Sequence, residues 1–200
     1  DLGLIVQSDL KWSHHKDKAC AKAFRTFFMI KRNVSNLSYQ SKLQLYKSMI
    51  VPTVLYASCC YGLTAYVSRQ LENLQRRIVK WILGTKCTYK EALFTLQLLP
   101  LTMYVQLNDV LLLSKLMKGY FEAGNLELPE MIPSVCGDFN FNIQRPSRAP
   151  IQHAFPYRTA RIVNILKLNI IDCDQKSLKC RLLQLFWKRV ENFDENLSCT

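Results

Sequence analysis

Helical periodicity constrains this chain more than any other feature. Residues 71–84 read LENLQRRIVKWILG. On a helical wheel Leu74, Ile78, Trp81 and Ile82 fall with Leu71 within about 100° of arc, while Arg69, Arg76 and Lys80 gather within about 40° nearly opposite, with Arg77 beside them. Lys16–Arg32 repeats the design: Ala19, Ala23, Phe27 and Ile30 share one face, and Lys18, Lys22, Arg25 and Arg32 share the other. Each apolar face needs another element to bury it, so the first part of the chain is expected to fold as packed helices.

The punctuation fits. Leu2–Val6 reads as a short strand ending at Gln7-Ser8-Asp9. A linker at 33–37 precedes a helix from near Ser38 that carries Leu43, Tyr46, Met49 and Ile50. Pro52 should kink or interrupt it before it ends near Gly62. The next helix runs from about Ser68 to Leu83, with Gly84 placed for a left-handed cap. Thr88 and Glu91 form a capping-box pattern that opens a short helix, and Pro100 separates it from one ending at Gly119. That helix contains Val110-Leu111-Leu112-Leu113, apolar over most of its circumference, and belongs in the middle of a bundle. Five of the seven prolines lie between Pro129 and Pro156, so this stretch reads as a loop-rich connection. A last helix covers Gln175 to Phe193, with Leu178, Leu182, Leu185, Phe186, Val190 and Phe193 on one broad face. The expectation is a mainly α protein: a helical domain over 1–119 with a short N-terminal strand, a Pro-rich connection over 120–156, and a C-terminal helical extension over 157–200.

Charge narrows the function. The net charge is +12, and it is uneven: residues 1–119 hold 17 Lys/Arg against 6 Asp/Glu, whereas 120–200 hold 10 against 9. Like charges on one helix face repel and add no stability. Two such stripes in the strongly basic part read as a phosphate-facing surface. Trp12, Tyr46 and Tyr61 are aromatics near it, read as core residues before stacking platforms. Two other readings compete: a helical protein-interaction domain with a positive face, and a membrane-surface module inserting Phe24, Phe27 and Phe28. The apolar runs are broken far short of the roughly 20 residues a spanning helix needs, which favours no membrane. Eight cysteines without a C-x-x-C pair or a secretory signal point to reduced thiols in an intracellular protein. His14, His15 and His153 lie at no zinc-finger spacing from any cysteine pair.

No active site is expected. Two-metal phosphoryl transfer needs paired carboxylates on adjacent elements. The nearest candidate, Asp172-Cys173-Asp174, reads as a helix N-terminus. Asp9 and Asp17 are isolated, and there is no Gly-rich phosphate loop.

Several segments occur in an order that resembles the region just beyond the palm in reverse transcriptases of non-LTR (LINE-type) retrotransposons. They are Asp1-Leu2-Gly3, Ser8-Asp9-Leu10-Lys11-Trp12-Ser13 with His15, the helix ending Lys31-Arg32, Lys42-Leu43 with Leu45-Tyr46-Lys47-Ser48, Pro52 with Leu55-Tyr56-Ala57-Ser58, Leu71-Glu72 with Gln75-Arg76-Arg77, and Leu98-Leu99-Pro100-Leu101. Phe155-Pro156-Tyr157-Arg158-Thr159 looks like the family's Y-R-T segment, which normally leads into W-N-x-L-P; here Val163-Asn164-Ile165-Leu166-Lys167 stands instead, without the Trp and the Pro. The resemblance implies a thumb-like helical region of an RNA-directed DNA polymerase in the nucleus. That region would follow the palm and fingers of one longer polypeptide, as an opening on Asp1 also suggests. Its partner would be the RNA/DNA template–primer duplex, held through Lys18, Lys22, Arg25, Arg32, Arg69, Arg76, Arg77 and Lys80. Catalytic aspartates and their Mg would belong to the palm, with no cofactor in this piece. The altered tail leaves a degenerate, non-functional copy as the other reading.

Overall fold

The computed structural model describes residues 3–5, 7–8, 12–34, 36–61, 63–84, 87–122, 124, 127–133, 139–143 and 154–192. It is mainly helical, with a two-stranded sheet. Helix α1 spans Ser13–Asn33. Its free N-terminal groups are met from outside: Gln7 Oε1 accepts from the His14 amide at 2.9 Å and from Ser13 Oγ at 3.1 Å. The strand expected at Leu2–Val6 is not formed at Gly3, Leu4 and Ile5, which make a turn and coil; Leu2 and Val6 lie outside the described residues. The Ile5 amide donates to His15 Nδ1 at 3.4 Å, so its partner is α1 and not a second strand.

Ser38 caps α2 (Tyr39–Leu45), its side chain accepting from the Ser41 amide at 3.2 Å. The helix then widens into a π-turn over Tyr46–Ile50 before α3, Val51–Leu55. Pro52 explains this. Its missing N–H and its ring cannot fit the ordinary i to i−4 ladder, and a wider turn just before it absorbs the mismatch. The interruption was legible, but its π form was not. The chain leaves α3 at Tyr56 and turns through Ala57, which has φ +51°. Thr64 caps α4 (Ala65–Leu83), and Gly84 at φ +63° ends it, a conformation that suits a residue without Cβ.

Helix α5 is Tyr89–Leu96, opened by the expected capping box: the Thr88 hydroxyl accepts from the Glu91 amide and the Glu91 carboxylate accepts from the Thr88 amide. Pro100 precedes α6, Leu101–Met117. Helix α6 sits in the middle: it packs on α3 and α4 on one side and on the two C-terminal helices on the other. Leu101, Val105, Leu107, Val110 and Leu113 are buried along it. Leu111, expected to be buried, is only partly covered, because its side of the helix opens on a cavity. Among the described residues no single helix is long and apolar enough to cross a membrane.

In the Pro-rich connection, β1 (Met131–Pro133) pairs antiparallel with β2 (Phe139–Phe141), Ile132 opposite Asn140. Helix α7, Phe155–Leu166, starts inside the segment expected to be loop. Pro156 lies in its first turn, where a missing N–H costs nothing. Asn164 fastens the hairpin: its side chain accepts from the Phe141 amide and donates to the Phe141 carbonyl, both at 2.9 Å. Asp174 caps α8 (Gln175–Glu191), whose Leu178, Leu182, Phe186 and Val190 are buried; Phe193 lies outside the described residues. One continuous apolar core joins all these helices, from Ala23 on α1 to Val190 on α8.

Candidate nucleic-acid interface

Helices α1 and α4 lie side by side and run in the same direction. Near their starts the Tyr66 hydroxyl donates to Asp17 Oδ1 at 3.2 Å. Further along, the Arg77 guanidinium lies over the Phe24 ring at 5.5 Å, and beyond it Phe27 meets Trp81 edge-on at 5.6 Å. These pairs fix how each helix is turned. Viewed from its N-terminus, the stripe of α1 lies about 130° clockwise of the side that meets α4, and the stripe of α4 lies about 90° anticlockwise of the side that meets α1. Opposite senses on parallel neighbours bring both stripes to one outer side of the molecule.

Lys18, Lys22, Arg25, Arg32, Arg69, Arg77 and Lys80 are exposed there. Arg25 also donates from Nε to the Ala21 carbonyl at 3.4 Å. Arg76 departs from the expectation of a free stripe: it is half-buried, turned to the flank of α4 that meets α5, with its guanidinium 4.6 Å from the Tyr89 ring centroid. It therefore holds α5 as well as adding charge. Arg77 leans the other way, toward α1, so the two neighbouring arginines serve opposite seams.

The acids that could neutralise the stripes are turned aside. Glu72, the one acid on α4, accepts from the Thr102 hydroxyl at 2.8 Å and from the Tyr89 hydroxyl. Asp17 sits at the margin under Tyr66. Between the stripes runs an aromatic seam: Phe28, 48% exposed, stacks on Phe24, with ring centroids 6.4 Å apart and the planes within 24°. Lys42 of α2 places its ammonium 5.2 Å from the Trp81 ring centroid, away from the stripe of α4. Tyr46 and Tyr61 are buried, as core residues should be, and Trp12 is half-covered. Of the three phenylalanines proposed for membrane insertion, Phe27 is buried in the core and Phe24 half-covered, which leaves Phe28 alone at the surface.

Among the described residues no three His, Cys, Asp or Glu side chains come together in a way that could hold a metal ion. Asp174 is committed to its helix cap, which holds its carboxyl below the usual range, and Asp172 accepts from Asn169 Nδ2 at 2.7 Å.

Three polar centres escaped the sequence reading. Gln75, fully buried on α4, donates to the Leu99 carbonyl at 2.9 Å and accepts from the Leu101 amide at 2.8 Å, with the Tyr89 hydroxyl oxygen also 2.8 Å from its Oε1, pinning the corner between α5 and α6. Lys16 is buried on the core side of α1, its ammonium 4.4 Å from the Tyr61 ring centroid; burial lowers its pKa to about 8. Arg158 on α7 is also buried. It grips Asp109 of α6 with two bonds, Nε to Oδ2 at 2.8 Å and Nη2 to Oδ1 at 3.1 Å. It also donates to the carbonyls of Tyr61 at 2.6 Å, Ser58 at 2.9 Å and Cys59 at 3.5 Å. Burial raises the Asp109 carboxyl to about 6 against the pull of Arg158. The signal that Lys16 offered was its spacing, which puts it on the helix face of Cys20, Ala23, Phe27 and Ile30; nothing local marks Arg158 as buried.

Compared with known proteins, the chain matches no family model, no curated protein and no solved structure.

Proposed function

We propose that this chain is the duplex-holding, thumb-like part of a LINE-type reverse transcriptase, which grips a template–primer duplex by its phosphates so that an upstream palm can extend the primer. One observation carries the reading. Two parallel helices bring seven exposed cations to one outer side, while Glu72 is tied inward to Thr102 and Tyr89. Folding alone does not require that segregation, and a polyphosphate backbone complements it. The ordered segments over 1–119 that resemble the family support the same reading. The part played by this chain is positional: it holds and orients the duplex without reading bases, and phosphoryl transfer belongs to the palm and its Mg.

The test is duplex binding by the 200-residue chain at several salt concentrations. Lys18, Lys22, Arg69 and Lys80 are exposed, so replacing all four with Ala should leave the fold intact. Arg76 is left in place because it packs on Tyr89. The salt slope should flatten by about 0.9 for each phosphate no longer neutralised, roughly 3–4 in all, with affinity falling alike for every duplex sequence. An unchanged slope in a folded variant would return this side to an ordinary solvated surface. Binding to an acidic protein with no binding to duplexes would favour the protein-interaction reading.

A further inference from the structure

The turn between α3 and α4 holds two adjacent thiols against the most heavily bonded side chain of the tail. Cys59 Sγ and Cys60 Sγ lie 3.9 Å apart, and neither is in a disulfide. Cys60 is exposed; Cys59 is half-covered and lines an open cavity of about 450 Å³ together with Ser58, Asp109 and Lys115. The backbone of this turn is the seat of Arg158, which takes the Ser58, Cys59 and Tyr61 carbonyls.

We propose that Cys59 and Cys60 form an oxidation site that closes to a vicinal disulfide, and that closure loosens the seat of Arg158 and so undocks α7. The inference is independent of whether the basic side holds nucleic acid. The oxidant is a small hydroperoxide, which reaches the exposed Cys60 thiol from solvent. The Cys60 thiolate attacks the distal peroxide oxygen; the S–O bond forms, the O–O bond breaks, and an alcohol (water, for hydrogen peroxide) leaves with a proton. Cys59 then attacks Sγ of the Cys60 sulfenic acid; the S–S bond forms, the S–O bond breaks, and hydroxide leaves as water with the Cys59 proton. Two thiols have lost two electrons and the peroxide has gained them.

The geometry supplies attacker, resolver and consequence. Cys60 is the solvent-facing thiol, and its hydrogen bond to Cys59, with Arg158 nearby, lowers its pKa to about 6. The same bond, with burial, pushes the Cys59 thiol up, so Cys60 and not Cys59 is the thiolate that meets the peroxide first. Adjacent Cα atoms are about 3.8 Å apart across a trans peptide, shorter than the roughly 4.4–6.8 Å that disulfides span. Closure must therefore twist the Cys59–Cys60 peptide, whose carbonyl is one of the acceptors of Arg158. A strained, exposed disulfide is also easily reduced, so the change is reversible.

The test treats the whole reduced chain with hydrogen peroxide, alkylates the remaining thiols, and maps the products by mass. It then compares amide exchange across 155–166 before oxidation, after oxidation and after dithiothreitol. The expected result is a loss of about 2 Da on the peptide holding Cys59 and Cys60. Exchange in α7 should be roughly tenfold or more faster in the oxidised protein, since it loses charge-assisted bonds, and should return on reduction. Cys60→Ser, at an exposed position, should abolish both effects. The wild-type comparison needs no variant to fold. A disulfide mapped elsewhere, or a Cys59–Cys60 bond that leaves α7 exchange unchanged, would overturn the proposal.

Discussion

Replacing Arg158 with Leu should be the most damaging single change in the C-terminal half, and its cost should depend on pH in a calculable way. The new side chain is apolar and takes no part in hydrogen bonding. It would leave the Asp109 carboxylate buried with neither of its two bonds, and would strip a donor from the Ser58, Cys59 and Tyr61 carbonyls. Breaking one side of a buried pair costs about 3–5 kcal/mol. The charge part can be bounded. Without Arg158, Asp109 can escape by taking up a proton, and holding a carboxyl neutral at pH 7 when its unfolded pKa is near 4 costs about 4 kcal/mol. A carboxyl whose folded pKa is raised gives stability that is full below the unfolded pKa and lost as pH rises through the folded value. On going from pH 7 to pH 5 the variant should therefore recover about 3 kcal/mol. The wild type, with Asp109 at about 6, recovers only about 1 kcal/mol over that span. The gap between them should narrow by about 1–2 kcal/mol. Urea unfolding of both proteins at pH 7 and pH 5 measures this directly. A variant within 1 kcal/mol of wild type at pH 7, or a gap that does not shrink at pH 5, would show that the bonds of Arg158 do not hold α7 as argued.

Two further outcomes follow from the other buried polar centres. Lys16 has a folded pKa depressed to about 8, so the wild type should gain stability as pH rises from about 8 to 10.5, where the unfolded chain binds the extra proton. Lys16→Met should thus stabilise the protein by about 1–3 kcal/mol at pH 7, with the advantage gone near pH 10.5 in denaturant melts; equal stability at pH 7 would refute this. Gln75→Leu should cost about 2–4 kcal/mol by leaving the Leu99 carbonyl and the Leu101 amide unpaired inside, and should raise amide exchange at Leu101; a loss below 1 kcal/mol would mean water enters to satisfy them.

What was legible in the sequence was local. The Ser38 cap, the Thr88–Glu91 box, Gly84 and the Asp174 cap each satisfy a helix end from within a few residues, so spacing alone reveals them. The central place of α6 was also legible, because a helix apolar all round can be buried nowhere else. Helix α7 was legible only in part: a helical extension was expected over 157–200, but its start at Phe155 and its buried side were not. Its apolar positions Phe155, Ile162 and Val163 are helically spaced, but the polar Arg158 and Thr159 interrupt them. Their burial depends on Asp109 and on a turn about a hundred residues away, and no local pattern encodes such a pairing. The segment 163–167 has a defined place in the fold. Val163 is buried in the core, and Lys167 ends α7 at φ +48°, which a proline ring cannot adopt. Asn164 holds the hairpin. The segment is thus packed, with its own cap.

The count of cations overstates the surface available to a phosphate backbone, and the structure shows by which residues. Lys16, Lys18 and Lys22 sit on one helix within two turns, yet their positions on the wheel give them different fates. Lys16 faces the core and the ring of Tyr61, while Lys18 and Lys22 face solvent. Arg158 is spent on Asp109 and three carbonyls, and Arg76 is shared with Tyr89. What remains outward in the two stripes is Lys18, Lys22, Arg25, Arg32, Arg69, Arg77 and Lys80, with Lys31 also exposed in the last turn of α1. The interior cations serve the fold, where removing them changes stability and its pH dependence; the outward ones should leave the fold unchanged when removed and, on the proposed function, alter the salt dependence of duplex binding. Because the two sets are disjoint, the stability measurements on Arg158 and Lys16 and the salt slopes of the stripe variant test independent parts of the reasoning. A stripe variant that bound duplex normally would leave the buried network intact, and a failed Arg158 prediction would leave the basic side as it stands.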